Sequence, residues 1–107
     1  MDVYGLKNCD TCRKAVKELN AAGIDAKLQD VRETPVPAEL FTAALAEFGD
    51  RLVNTRSTTW RGLDDATRAQ DPAQIIRGAP SVMKRPLVSD GQKMSLGWDA
   101  AAKAVWL

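Results

Sequence analysis

Apolar and polar positions alternate between two periods along this chain. Asp2-Val3-Tyr4-Gly5 reads as a short strand, and Gly5 to Asn8 as the turn that follows it. From Asp10 the period becomes helical, with Cys12, Ala15, Val16 and Leu19 at i, i+3, i+4 and i+7. This predicts a helix from Asp10 to about Ala22, stopped by Gly23, which suits the left-handed position past a helix end. Ile24, Ala26 and Leu28 then alternate with Asp25, Lys27 and Gln29, the mark of a half-buried strand. A strand, a helix and a strand this close together form a βαβ unit, so its two strands are expected to be parallel with a right-handed crossover.

Thr34-Pro35-Val36-Pro37 interrupts the pattern. A second helix is predicted where Leu40, Phe41, Ala44, Leu45 and Phe48 share a face, ending at Gly49. Arg51 to Trp60 has no strong period and reads as a loop or short turn, and Leu63 to Ala69 as one or two helical turns. Asp71-Pro72 is a helix start, with Asp71 as N-cap and Pro72 in the first helical position; Ile75 and Ile76 supply the apolar face and Gly78 closes it. The period then shortens again. Leu87-Val88 and the segment with Met94 and Leu96 read as two strands, with Asp90-Gly91 as a two-residue hairpin centre. Asp99 caps a last helix that turns Ala102, Val105 and Trp106 inward. The order is β-α-β, a helical block, then β-β-α. It predicts a single α/β domain of thioredoxin-like layout, with a four-stranded mixed sheet built from residues 1–34 and 81–107 and a helical insertion over 35–80.

At 107 residues the chain is long enough for one core without staples. Its 15 basic and 14 acidic residues nearly cancel, so no electrostatic footprint for nucleic acid or an anionic membrane is expected. No apolar run is long enough to span a bilayer and no signal peptide is apparent, so a cytoplasmic, monomeric protein is expected. In that reducing compartment a Cys-x-x-Cys pair points to redox or metal chemistry more than to a structural disulfide. The chain has no histidine, which removes the usual general base and imidazole zinc sites.

Both cysteines stand at the first strand–helix junction. Cys9 is placed at a helix N-terminus, where unpaired amides favour a thiolate. Cys12 lies one turn further on, in reach of a disulfide formed at Cys9. One reading is a redox dithiol in which Cys9 attacks and Cys12 resolves, with Lys7 and Arg13 as nearby cations lowering the Cys9 pKa and Asp10 opposing them. A second is an inert, buried pair. A metal site would need two further ligands that the chain does not offer, and none is expected. Arg85-Pro86 precedes the third strand, the place beside the reactive thiol in a thioredoxin-like layout. A Pro there is often cis, and Arg85 would hold an anion or stabilise the thiolate; the alternative is a solvated arginine beside a turn proline. Asn54-Thr55-Arg56-Ser57-Thr58-Thr59-Trp60-Arg61 reads either as an anion-binding patch or as a polar connection.

Three separated segments resemble the ArsC-like family, which covers glutaredoxin-coupled arsenate reductases, the YffB subgroup and the Spx/MgsR regulators. They are Tyr4-Gly5-Leu6-Lys7-Asn8-Cys9-Asp10-Thr11, Asn54 to Leu63, and Pro80-Ser81-Val82-Met83-Lys84-Arg85-Pro86-Leu87-Val88, followed by Leu96-Gly97-Trp98. The YffB subgroup is the nearest in pattern. The resemblance implies a thioredoxin-like core with a helical insertion, Cys9 as nucleophile, and Arg85 beside it before the cis Pro86. It implies substrate contacts from Lys7, Asn8, Arg56 and Pro86. It also implies two oxyanion-binding arginines near positions 54 and 97; Arg56 stands two residues from the first, and position 97 is glycine. That incomplete set points away from arsenate reduction and toward glutathione-dependent thiol–disulfide exchange, with glutathione or glutaredoxin as partner and no bound cofactor. The Cys9-Asp10-Thr11-Cys12 pair resembles the regulator branch instead, whose partner is RNA polymerase, although the longer C-terminal extension common there is missing.

Overall fold

The computed structural model describes residues 1–107. Its first unit comprises Met1–Val36 and Arg85–Leu107, and its second Pro37–Lys84.

In the first unit, β1 (Asp2–Gly5) leads through a turn into α1 (Asp10–Ala21), and β2 (Lys27–Asp30) returns parallel to β1. β3 (Leu87–Ser89) lies antiparallel on the other side of β1, and β4 (Met94–Leu96) is antiparallel to β3. The sheet order is β2-β1-β3-β4, the mixed four-stranded sheet expected of a thioredoxin-like fold. Helix α6 (Ala100–Trp106) follows β4. The core joins Val3 of β1, Ala15 and Leu19 of α1, Ala26, Val88 of β3, Trp98 and Ala102 of α6. The buried face of α1 carries Cys12, Ala15 and Leu19, so the helical period of the sequence is the packing face of the helix. Gly23, at φ 84, makes the left-handed exit.

Two local differences from the sequence pattern have visible causes. The second strand starts at Lys27, not Ile24, because the Asn20 amide brackets Ala26: the Ala26 N–H donates to Asn20 Oδ1 at 3.0 Å, and Asn20 Nδ2 donates to the Ala26 carbonyl at 3.3 Å. These bonds take the polar groups of Ala26 away from a ladder. The hairpin centre falls one residue later than Asp90-Gly91. Asp90 faces Lys93, its carboxylate accepting from the Gln92 and Lys93 amides at 2.8 and 2.7 Å, and Gly91 takes the first central position at φ 95.

The second unit is helical. It contains α2 (Ala38–Phe48), α3 (Thr58–Arg61), α4 (Asp65–Arg68) and α5 (Pro72–Gly78), with 3-10 turns at Gly49–Leu52 and Pro80–Val82. Phe41, Ala44, Leu52, Ile75, Ile76 and Val82 are buried. Within Arg51 to Trp60, expected as a loop or short turn, stand the end of a 3-10 turn and, beyond that expectation, the start of α3, where Ser57 Oγ accepts from the Trp60 amide at 3.0 Å. Asp71 is the N-cap residue of α5 but makes no side-chain cap bond; Pro72 supplies the start. Residues 81–84, assigned from the sequence to the outer halves, belong to this unit. The Asn54 amide donates to the Val82 carbonyl, the Lys84 amide donates to the Leu52 carbonyl, and Val53 pairs with Met83.

Candidate active site

The end of β1 sets the geometry. The Val31 amide donates to the Gly5 carbonyl at 2.9 Å, extending the register of β1 and β2 past the strands. The chain then turns tightly, with the Cys9 amide donating to the Leu6 carbonyl at 3.1 Å, and the Cys9 carbonyl accepts the first helical bond from the Arg13 amide. Cys9 is therefore the N-cap residue of α1, in extended conformation (φ −92, ψ 118). It is half-buried, while Cys12 at the third helical position is fully buried.

Cys12 is buried because Gly5 has no side chain. A Cβ at Gly5 would lie 2.3 Å from Cys12 Sγ and 3.2 Å from Cys12 Cβ. The same position would be 3.9 Å from Arg85 Cβ, so Gly5 brings the strand end, the helix and the residue before β3 together.

The two thiols are driven in opposite directions. For Cys9, burial pushes the pKa up, but the Cys12 amide, the Cys12 thiol and Arg85, by hydrogen bond and by charge, outweigh it, and the net shift is downward. No conventional cap bond closes α1 at the thiol, so its N-terminal amide is left to favour the thiolate. For Cys12, burial dominates and its pKa is pushed up to about 12, with the neighbouring Cys9 charge adding to the rise. The arrangement is a thiolate-prone sulfur beside a thiol that keeps its proton.

Arg85 and Pro86 stand directly before β3, and the peptide bond between them is cis. Pro86 is buried, and its carbonyl accepts from the Gly97 amide at 2.9 Å. Gly97 has φ 80, a backbone that disfavours any side chain, arginine included. Lys7 and Asn8 are exposed in the turn. The Lys7 ammonium pairs with Glu33 at 2.8 Å, and Arg13 pairs with Asp10, so of the three cations expected near Cys9 from the sequence, Arg85 is the one that acts on it. Arg56 is an exposed residue of the second unit, in a turn where its amide donates to Asn54 Oδ1 at 3.0 Å. Nowhere do three or more cysteine or acidic side chains gather as metal ligands would.

Two residues that shape the site escape a sequence reading. One is Gly5, whose role needs the strand–helix distance. The other is Asp30, a buried carboxylate at the end of β2 that accepts the Lys7 amide at 3.0 Å; its one sequence signal is an acid ending a strand with Arg32 two residues on.

A parallel β-α-β start, an antiparallel β-β-α finish and a cysteine capping the first helix define a thioredoxin-like protein. Within that class the chain belongs to the ArsC family, whose model matches residues 4–104. It is similar to an uncharacterized protein of Haemophilus influenzae, 38% identical over 91% of this chain and 90% of that protein. It is also similar to the global transcriptional regulator Spx of Listeria innocua, 26% identical over 91% of this chain and 79% of the regulator. Among solved structures, a YffB protein superposes with a TM-score of 0.83 at 32% identity, covering 99% of this chain and 97% of its own. An arsenate reductase (ArsC) related protein from Brucella melitensis gives 0.71 at 31% identity, covering 98% and 92%. No helix is long and apolar enough to cross a membrane.

Proposed function

We propose that this chain is a glutathione-dependent thiol–disulfide oxidoreductase acting through the Cys9 thiolate. The observation that carries the reading is the opposite tuning of Cys9 and Cys12 beside Arg85. The Cys9 thiolate attacks one sulfur of a disulfide R–S–S–R′; a Cys9–S–S–R bond forms, the S–S bond breaks, and R′ leaves as a thiolate that takes a proton from water. A glutathione thiolate then attacks the R sulfur, which releases the Cys9 thiolate and R–S–S–G, or attacks the Cys9 sulfur, which releases the R thiolate and leaves a Cys9–glutathione disulfide; in that case a second glutathione thiolate displaces Cys9 and forms oxidised glutathione. Glutathione is favoured over Cys12 for this step because burial, the main cause of the Cys12 shift, persists after Cys9 has lost its charge. Arsenate reduction is disfavoured by Gly97, whose backbone does not suit an arginine. The test is alkylation of Cys9 at graded pH in wild-type and Arg85→Ala protein. The expected apparent pKa lies below the free value of about 8.5 in wild type and rises in the variant. A wild-type value at or above 8.5 overturns the reading.

A second reading draws on the mutual influence of the two thiols one helical turn apart and on the similarity to Spx: a redox switch at Cys9–Cys12 governing binding to RNA polymerase. Capture of RNA polymerase on the immobilised protein, with and without oxidation, separates the two. Equal or absent capture in both states removes the switch.

A further inference from the structure

The turn that presents Cys9 is held from outside by one buried charge. Asp30 ends β2, and its side chain is 1% exposed. Oδ2 accepts from the Lys7 amide at 3.0 Å and from Arg32 Nη2 at 2.8 Å; Oδ1 accepts from the Arg32 amide at 2.9 Å and from Arg32 Nε at 3.1 Å. Its carbonyl accepts the Glu33 and Thr34 amides at 3.0 and 2.7 Å, so the residue is fixed on both sides. Lys7 lies inside the Leu6-to-Cys9 turn, which closes on itself through the bond from the Cys9 amide to the Leu6 carbonyl; the Asp30 carboxylate is the buried tie between this turn and the end of β2, and the Lys7–Glu33 ion pair is an exposed one. A carboxylate is needed here: an amide in its place must turn an NH2 toward one of the two backbone N–H groups, leaving a buried donor without an acceptor.

We infer that Asp30 is a positioning residue for the thiol chemistry: its buried carboxylate clamps the Leu6-to-Cys9 turn through the Lys7 amide and thereby sets the reactivity of Cys9. The inference rests on the proposed Cys9 chemistry and adds a residue that touches neither sulfur nor substrate. Two effects of removing Asp30 have opposite signs. Electrostatics alone, with Arg32 left behind, adds net positive charge near the site and favours the thiolate. Loss of the clamp lets the turn drift, so that the Cys12 amide and Arg85 no longer converge on the Cys9 sulfur.

The experiment is the pH dependence of Cys9 alkylation in wild-type, Asp30→Ala, Asp30→Asn and Arg32→Ala proteins, with circular dichroism confirming the fold of each. The alkylation pKa of Asp30→Ala is expected to rise by about one unit, and its rate below the wild-type pKa to fall about threefold, a tenfold loss of thiolate being partly offset by the greater nucleophilicity of the more basic sulfur. Asp30→Asn is expected to fall less, and Arg32→Ala, which keeps the bond to the Lys7 amide, to stay near wild type. An unchanged or faster Asp30→Ala reaction overturns the inference, as does an equal loss in Arg32→Ala. Should neither Asp30 variant fold, amide hydrogen exchange at Lys7 in the wild-type protein decides: protection comparable with Val3 supports the clamp, and exchange at the rate of an open loop removes it. A wild-type Cys9 with an ordinary pKa sinks the function proposed above, whereas a depressed wild-type value untouched by Asp30→Ala sinks only the clamp.

Discussion

Helix starts in this protein differ by the atom at the cap. At α3, α4 and α6 the cap is oxygen. Ser57 Oγ accepts the Trp60 amide, Asp64 Oδ1 the Thr67 amide at 2.7 Å, and Asp99 Oδ1 the Ala102 amide at 2.9 Å. Each closes the third amide of its helix. At α1 the corresponding residue is Cys9, and the third amide belongs to Cys12. A neutral thiol is a weak acceptor, so the amide stays available until the sulfur is anionic. The difference teaches that an oxygen cap uses the helix N-terminus for stability, while a sulfur cap leaves it as a stabiliser of negative charge. α1 can do without an oxygen because it is the longest helix and buries Cys12, Ala15 and Leu19.

The sharpest way to break that comparison is Cys9→Ser. Thiol–disulfide exchange is expected to vanish, while the urea midpoint rises by the equivalent of about 1 kcal/mol as an oxygen cap appears. A variant with unaltered exchange activity would place the reacting sulfur elsewhere.

Gly5→Ala comes next, because it pushes a methyl into Cys12 Sγ. A loss of about 1–3 kcal/mol in equilibrium unfolding is expected, with slower Cys9 alkylation as the buried thiol is displaced. Wild-type stability in this variant would mean that the strand and helix are not locked at this distance.

Asp99→Ala is the matching cut at an oxygen cap. It is expected to cost about 1 kcal/mol of stability and to leave the Cys9 alkylation profile unchanged, since that cap serves only α6. A shifted profile would mean that the caps are not separable.

The last test is the pH dependence of stability at the buried thiol. Cys12 has a folded pKa of about 12 against an unfolded value of about 8.5. Between these values the unfolded chain releases a proton that the folded protein keeps. The stabilisation is thus complete below about pH 8.5 and declines as pH rises toward the folded pKa. Cys9 has the opposite sign: its depressed pKa contributes stability above the unfolded value, which is lost as pH falls through the folded one. Urea unfolding from pH 8 to 11 should therefore show a shallower decline in Cys12→Ala than in wild type. Equal slopes would assign the decline to other groups.

The sequence by itself determined which elements form and in what order. Cys12, Ala15 and Leu19 at helical spacing, Gly23 as the exit, Asp99 as a cap and the two terminal strands are all local signals, read over a few residues. It also placed the thiol at a helix start and an X-Pro bond before the third strand. Only the tertiary structure decided which of the three candidate cations acts on that thiol. Lys7 and Arg13 are close to Cys9 in sequence, yet each is taken by an acid, and Arg85, far along the chain, makes the contact. Register decided the rest: parallel pairing of β1 with β2 sets Gly5 opposite Asp30, and from there the buried carboxylate meets the turn before Cys9. Periodicity reports the face a residue takes on its own element; it carries no information about partners brought together across a sheet, which is why the roles of Asp30 and Gly5 emerge only in the folded chain.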